Sequence, residues 1–121
     1  FDAVNHGGGI DLKTTQDASP EAFARTIAAY RYDLQAAWYM SGAEHCLDAT
    51  PTFFAFIAVE SEPPHAVAVY ALGTASLQAG AARADVALER YAQALASGDW
   101  PGYPDTIETI DTPAWARKLQ L

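Results

Sequence analysis

Apolar and polar positions along this chain alternate between strand-like and helix-like stretches. Phe1-Asp2-Ala3-Val4 predicts a short first strand, and Asn5 to Gly9 is a loop by composition. Gly9-Ile10-Asp11-Leu12-Lys13-Thr14-Thr15 then predicts a second strand. Strand side chains alternate between faces, so Asp11 and Lys13 project together while Ile10 and Leu12 are expected to enter the core. Asp17-Ala18-Ser19-Pro20-Glu21 has the pattern of a helix start, with Ser19 as N-cap, Pro20 at the first helical position and Glu21 near the positive end of the dipole. Phe23, Ile27 and Tyr30 recur behind it at helical spacing. A second helical pattern covers residues 32–41, is expected to end near Gly42, and leaves room for a kink at Tyr30-Arg31-Tyr32.

Residues 51–60 form the strongest strand pattern, an unbroken apolar run rich in aromatic and β-branched residues that predicts burial on both faces. Ser61-Glu62-Pro63-Pro64 interrupts it and residues 65–70 return, which predicts a hairpin. Glu60 closes the central strand, either as a solvated terminus or as a polar group at the edge of a site. Residues 74–97 predict a long helix capped by Thr74 and stopped by Gly98, with Leu77, Ala81, Ala84, Leu88, Tyr91 and Leu95 as its apolar stripe. Trp100-Pro101-Gly102-Tyr103-Pro104 is irregular, residues 106–110 are expected to form a short strand, and Pro113 opens a last helical turn.

Composition narrows the class. The 121 residues suggest one domain, 1–121, half of it apolar, with enough aromatic content to fill a core. No apolar run reaches the roughly 18–20 residues of a membrane span. Cys46 is the only cysteine, so an internal disulfide is excluded and a reducing, cytoplasmic setting is expected. The formal charge of −8 argues against a protein that coats nucleic acid through cationic surface alone. Any DNA contact must be local or assisted by metal. The chain begins at Phe1, which suggests processing, trimming or excision from something longer.

The candidate chemistry sits on the first two strands. An antiparallel return places Asp2 within cross-strand reach of Asp11, with Lys13 beside them. Two carboxylates that close repel unless a cation or proton lies between them, and an oxygen-only donor set suits Mg²⁺ or Mn²⁺ better than zinc. An acid, any residue and a lysine recur about once by chance in a chain of this length, so a solvated pair on an edge strand is the competing reading. On the second helix Gln35 and Tyr39 are four residues apart and share a face, with Leu34 and Trp38 as the neighbouring apolar pair. His6, His45 and His65 show no metal-ligand spacing, and Gly7-Gly8-Gly9 precedes a strand where a phosphate-cradling loop would precede a helix.

Ile10-Asp11-Leu12-Lys13-Thr14-Thr15, residues 32–39, the strand opened by Pro51-Thr52-Phe53, Trp100-Pro101-Gly102-Tyr103 and Pro113-Ala114-Trp115-Ala116 together resemble the C-terminal nuclease domain of exonuclease VIII, the RecE type. The similarity runs in order over essentially the whole chain and places it in the RecB-like branch of the PDDEXK nuclease superfamily. It implies an α/β fold with a central mixed sheet flanked by helices, the N-terminal part of that core lying upstream of Phe1. It implies Mg²⁺-dependent hydrolysis of duplex DNA, run 5′ to 3′ in phage-type recombination. Asp2 and Asp11 would be the two acids, Lys13 the lysine, and the Leu12 carbonyl a further metal ligand. Gln35 and Tyr39 would be the Gln-x-x-x-Tyr pair beside the active site. The same likeness implies a homo-oligomer, a tetrameric ring, and a single-strand annealing partner. The alternative is a nuclease-like domain that no longer cuts and serves in assembly.

Overall fold

The strand spanning Phe53–Glu60 is the axis of the molecule. In the computed structural model, which describes residues 3–4, 7–48 and 50–119, the elements run β1 (Ala3–Val4), β2 (Gly8–Thr15), α1 (Pro20–Tyr30), α2 (Tyr32–Cys46), β3 (Phe53–Glu60), β4 (Val67–Ala71) and α3 (Thr74–Ser97), followed by a 3-10 turn at Ala114–Arg117. The strands form one mixed sheet in the order β1-β2-β3-β4. β1 and β2 are antiparallel, β2 and β3 parallel, and β3 and β4 antiparallel. The parallel pair needs a crossover, which α1 and α2 supply.

Register decides which face is the core. Asp11 lies opposite Phe56 and Lys13 opposite Ala58, so both share a face with the buried Phe54, Phe56 and Ala58. Phe23 of α1 meets Phe56 edge-on at 5.9 Å between centroids and stacks on Tyr70 at 5.6 Å. Ala36 of α2 is fully buried against the same cluster. α1 and α2 therefore cover the face that carries Asp11 and Lys13. This reverses the expectation that Ile10 and Leu12 enter the core: Leu12 is 52% exposed, as are Val67 and Val69 to a similar degree on the same outer face. The aromatic side chains of β3 attract the helices, and the register carries the acid and lysine beneath them. β3 is correspondingly sealed on its inner side, while Phe53 is exposed and Ile57 and Val59 are half-buried on the outer side.

α3 packs on α2, away from the sheet. Gly80 makes that contact possible, because a Cβ there would lie 2.2 Å from the Asp33 carbonyl oxygen. Arg83, one turn further on, pairs with the buried Asp33 carboxylate. The expected stripe on α3 holds in part: Leu77 packs on the core and Ala84 is buried together with Gly80 and Ala94, while Leu88, Tyr91 and Leu95 are about half exposed. Small residues let the helices approach closely, and larger ones are displaced to the flanks.

Several boundaries move. α2 runs through Gly42 to Cys46, since a solvent-facing glycine with nothing near its Cβ position is tolerated inside a helix. β2 starts at Gly8, inside the expected loop. Ser19 does cap α1, yet its side chain makes no capping hydrogen bond; its own N–H donates to Asp17 Oδ1 at 2.9 Å. Gly73, not Thr74, is the N-cap of α3, and Gly98 closes that helix in the left-handed region. Residues 106–110 form no strand, because no sheet edge lies alongside to take their backbone groups. Among the described residues no helix is long and apolar enough to cross a membrane.

Candidate active site

Lys13 gathers the site. Its ammonium lies 2.7 Å from Asp11 Oδ2 and donates to Gln35 Oε1 at 2.7 Å. Gln35 Nε2 in turn donates to the Tyr39 hydroxyl at 3.2 Å. The lysine also stands 4.2 Å from the centroid of the Tyr32 ring, a cation–π contact. Two residues on one strand face and two on one helix face thus meet in a single chain of contacts. The strand–helix crossover brings them together: α2 lies on the sheet face where Asp11 and Lys13 project, and Gln35 and Tyr39 point down onto it.

The environment is largely dry. Asp11 is 3% exposed and the Lys13 side chain 15%. Burial pushes the Asp11 carboxyl up, the hydrogen bond and charge of Lys13 pull it down, and the balance leaves it below the ordinary aspartate range. Asp11 and Lys13 thus form a buried ion pair at the centre of the site.

Of the residues expected at the site, the structure brings Asp11, Lys13, Gln35 and Tyr39 together. Asp2, the other expected acid, lies outside the described residues. Leu12 sits between Asp11 and Lys13 on β2, with its side chain on the outer face. Trp38 is 49% exposed and Leu34 half-buried, so the polar pair of α2 faces the site more squarely than its apolar neighbours. Tyr32, which touches the lysine, was missed as a site residue, and its only signal was adjacency to the helix break. Glu60 resolves to an edge role: its Oε2 accepts from the Ala18 N–H at 3.0 Å, while the Tyr70 hydroxyl donates to the Ala18 carbonyl at 2.6 Å. Together they pin the loop that launches α1. His45 and His65 are exposed, and their ring nitrogens contact nearby carbonyls.

For a divalent cation the donor set is oxygen-only: the buried Asp11 carboxylate and the backbone of β2. Among the described residues no three histidine, cysteine, aspartate or glutamate side chains converge. An oxygen donor set of this kind fits a hard divalent cation held by one or two carboxylates, with the remaining positions taken by water and substrate phosphate.

A mixed α/β sheet with an acid and a lysine at alternate positions of one strand is consistent with a PDDEXK-like domain. The chain belongs to the family described as PDDEXK-like domain of unknown function (DUF3799), whose model matches residues 1–113. No match was found among curated proteins. The family ties the fold to nuclease-type chemistry.

Proposed function

We propose that this protein is a divalent-metal-dependent deoxyribonuclease, specifically an exonuclease acting on duplex DNA in the 5′ to 3′ direction, as the likeness to exonuclease VIII implies. The observation that carries the reading is the Asp11–Lys13–Gln35–Tyr39 chain of contacts. A solvated edge-strand pair would be neither buried nor joined to a helix.

Mg²⁺ or Mn²⁺, when bound, neutralises charge on the phosphodiester and acidifies an attacking water. Asp11 would hold the cation with the Leu12 carbonyl, and Asp2 would complete the acid pair. Lys13 serves as a charge stabiliser beside the scissile phosphate. Asp11 and Gln35 fix its position, so that an N–H can be directed at the phosphoryl oxygens as charge grows on them. Gln35 positions both the lysine and Tyr39, whose hydroxyl is a further donor for the phosphate. The dry surroundings strengthen each of these interactions. A homo-oligomeric ring and an annealing partner belong to the same proposal, and exposed Trp100, Tyr103 and Trp115 offer surface for such contacts.

The test is hydrolysis of end-labelled linear duplex DNA with Mg²⁺ or Mn²⁺. Nucleotides should be released from the 5′ end, and release should stop with chelator or with Lys13→Ala. Absence of cleavage with either metal, or wild-type rates for Lys13→Ala, would overturn the proposal; cleavage limited to internal sites would overturn the exonuclease assignment.

A further inference from the structure

A second feature opens beside Lys13 and is not used by the chemistry above. Thr14, Thr15 and Gln16 at the end of β2, Thr26 on α1 and Ser61 after β3 line a cleft of about 590 Å³. Tyr30 and Tyr32 complete its wall. Among the described residues no acid lines it. It lies at the carboxyl ends of the two parallel strands, where open α/β sheets commonly bind ligands.

The two tyrosines give the cleft its character. Arg31 between them adopts the left-handed conformation, with φ of 57°, so α1 ends and α2 begins within a single residue. That break brings the Tyr30 and Tyr32 rings together, stacked at 5.6 Å with 17° between their planes. Tyr32 is the same ring that the Lys13 ammonium contacts at 4.2 Å. Tyr30 is 70% exposed. The arrangement is thus a stack whose inner member touches the catalytic lysine and whose outer member presents aromatic surface to solvent. A planar ring rigidly backed by another is a ready platform for a nucleobase, and hydroxyl and amide groups like those around it commonly contact sugar and phosphate.

We infer that this cleft seats a nucleotide of the DNA strand entering the site, with its base stacked on Tyr30. The nucleotide lies a few positions from the phosphate at Lys13, since the Lys13–Tyr32 and Tyr32–Tyr30 separations are 4.2 and 5.6 Å and a strand advances roughly 3.4 Å per nucleotide. Tyr30 is a binding residue and takes no part in the chemistry. Stacking reads any base, so the seat confers position without sequence preference.

The inference rests on the nuclease reading, but its test is read by binding, with Ca²⁺ replacing Mg²⁺ to avoid turnover. Wild type, Tyr30→Phe and Tyr30→Ala are titrated with duplex DNA bearing a short single-stranded end, either intact or with a single abasic position moved along that end. Tyr30→Ala should weaken binding of intact DNA by about 5- to 100-fold, and Tyr30→Phe should match wild type. At one abasic position wild type should lose the same factor, and Tyr30→Ala should lose nothing further, because ring and base are one interaction. Wild-type affinity in Tyr30→Ala overturns the seat. So do losses that simply add at every abasic position, and so does a wild type that does not bind DNA. A protein that couples Tyr30 to a base yet cuts no DNA would refute the nuclease reading and leave the seat standing.

Discussion

Lys13 and Gln35, separated by 22 residues in sequence, are joined by a hydrogen bond of 2.7 Å between ammonium and amide oxygen. Through it the strand motif and the helix motif act as one unit. Gln35→Ala should therefore lower DNA hydrolysis by about 10- to 100-fold through misplacement of Lys13. Tyr39→Phe, which removes one donor but leaves the lysine held, should cost less. Steady-state kinetics with thermal melts as control will separate the two; equal losses, or a collapsed melting temperature in Gln35→Ala, would contradict a positioning role.

Asp11 links stability to pH. Its pKa is lowered by folding, so it contributes stability above the unfolded-state value of about 3.9, and that contribution is lost as pH falls through the lower folded value. Repulsion from a second acid, taken alone, would make Asp11→Asn neutral or stabilising. The ion pair with Lys13 argues the reverse: the variant should be less stable at pH 7 by about 1–2 kcal/mol. Urea unfolding at pH 7 and pH 3 provides the check. The gap between wild type and variant should narrow at acid pH, and a constant gap would refute the account.

Two helical glycines should respond with opposite signs. Gly80→Ala places a Cβ against the Asp33 backbone, where no flexible side chain can yield, and should cost about 1–3 kcal/mol. Gly42→Ala meets nothing within 4 Å and should gain up to about 1 kcal/mol from helix propensity. Chemical denaturation of both variants tests this directly, and a Gly80→Ala that is neutral or stabilising would show that the α2–α3 contact is looser than described.

The pair between Asp33 and Arg83 is a second buried charge. Asp33 Oδ1 lacks a hydrogen-bond partner among the described residues, so Arg83 is the principal support of the carboxylate. Arg83→Met should destabilise by about 1–3 kcal/mol, less than for a fully buried pair because the arginine is partly exposed. Adding Asp33→Asn should recover part of that loss by removing the stranded charge. A double variant no more stable than the single one would argue against it.

The sequence by itself determined the elements that depend on local chemistry. Pro20 after Ser19 set the start of α1, Gly98 set the end of α3, and the apolar run of β3 followed by a proline-rich break set the hairpin. Period-two and period-four spacing also fixed which polar residues share a face: Asp11 with Lys13, and Gln35 with Tyr39. Spacing, however, says nothing about which face another element will cover. Only the parallel register of β2 with β3, and the docking of α1 and α2 onto Phe54 and Phe56, put the acid and lysine inside and left Leu12 outside. The same holds for Gly80 and Arg83, ordinary positions in a helical repeat until α3 crosses α2 at Asp33. Tyr32 is likewise invisible as a site residue until the turn at Arg31 lays its ring against Lys13. Local pattern selects the segments and their faces; long-range packing, which rewards burial of the β3 aromatics above any single alternation, decides what those faces meet.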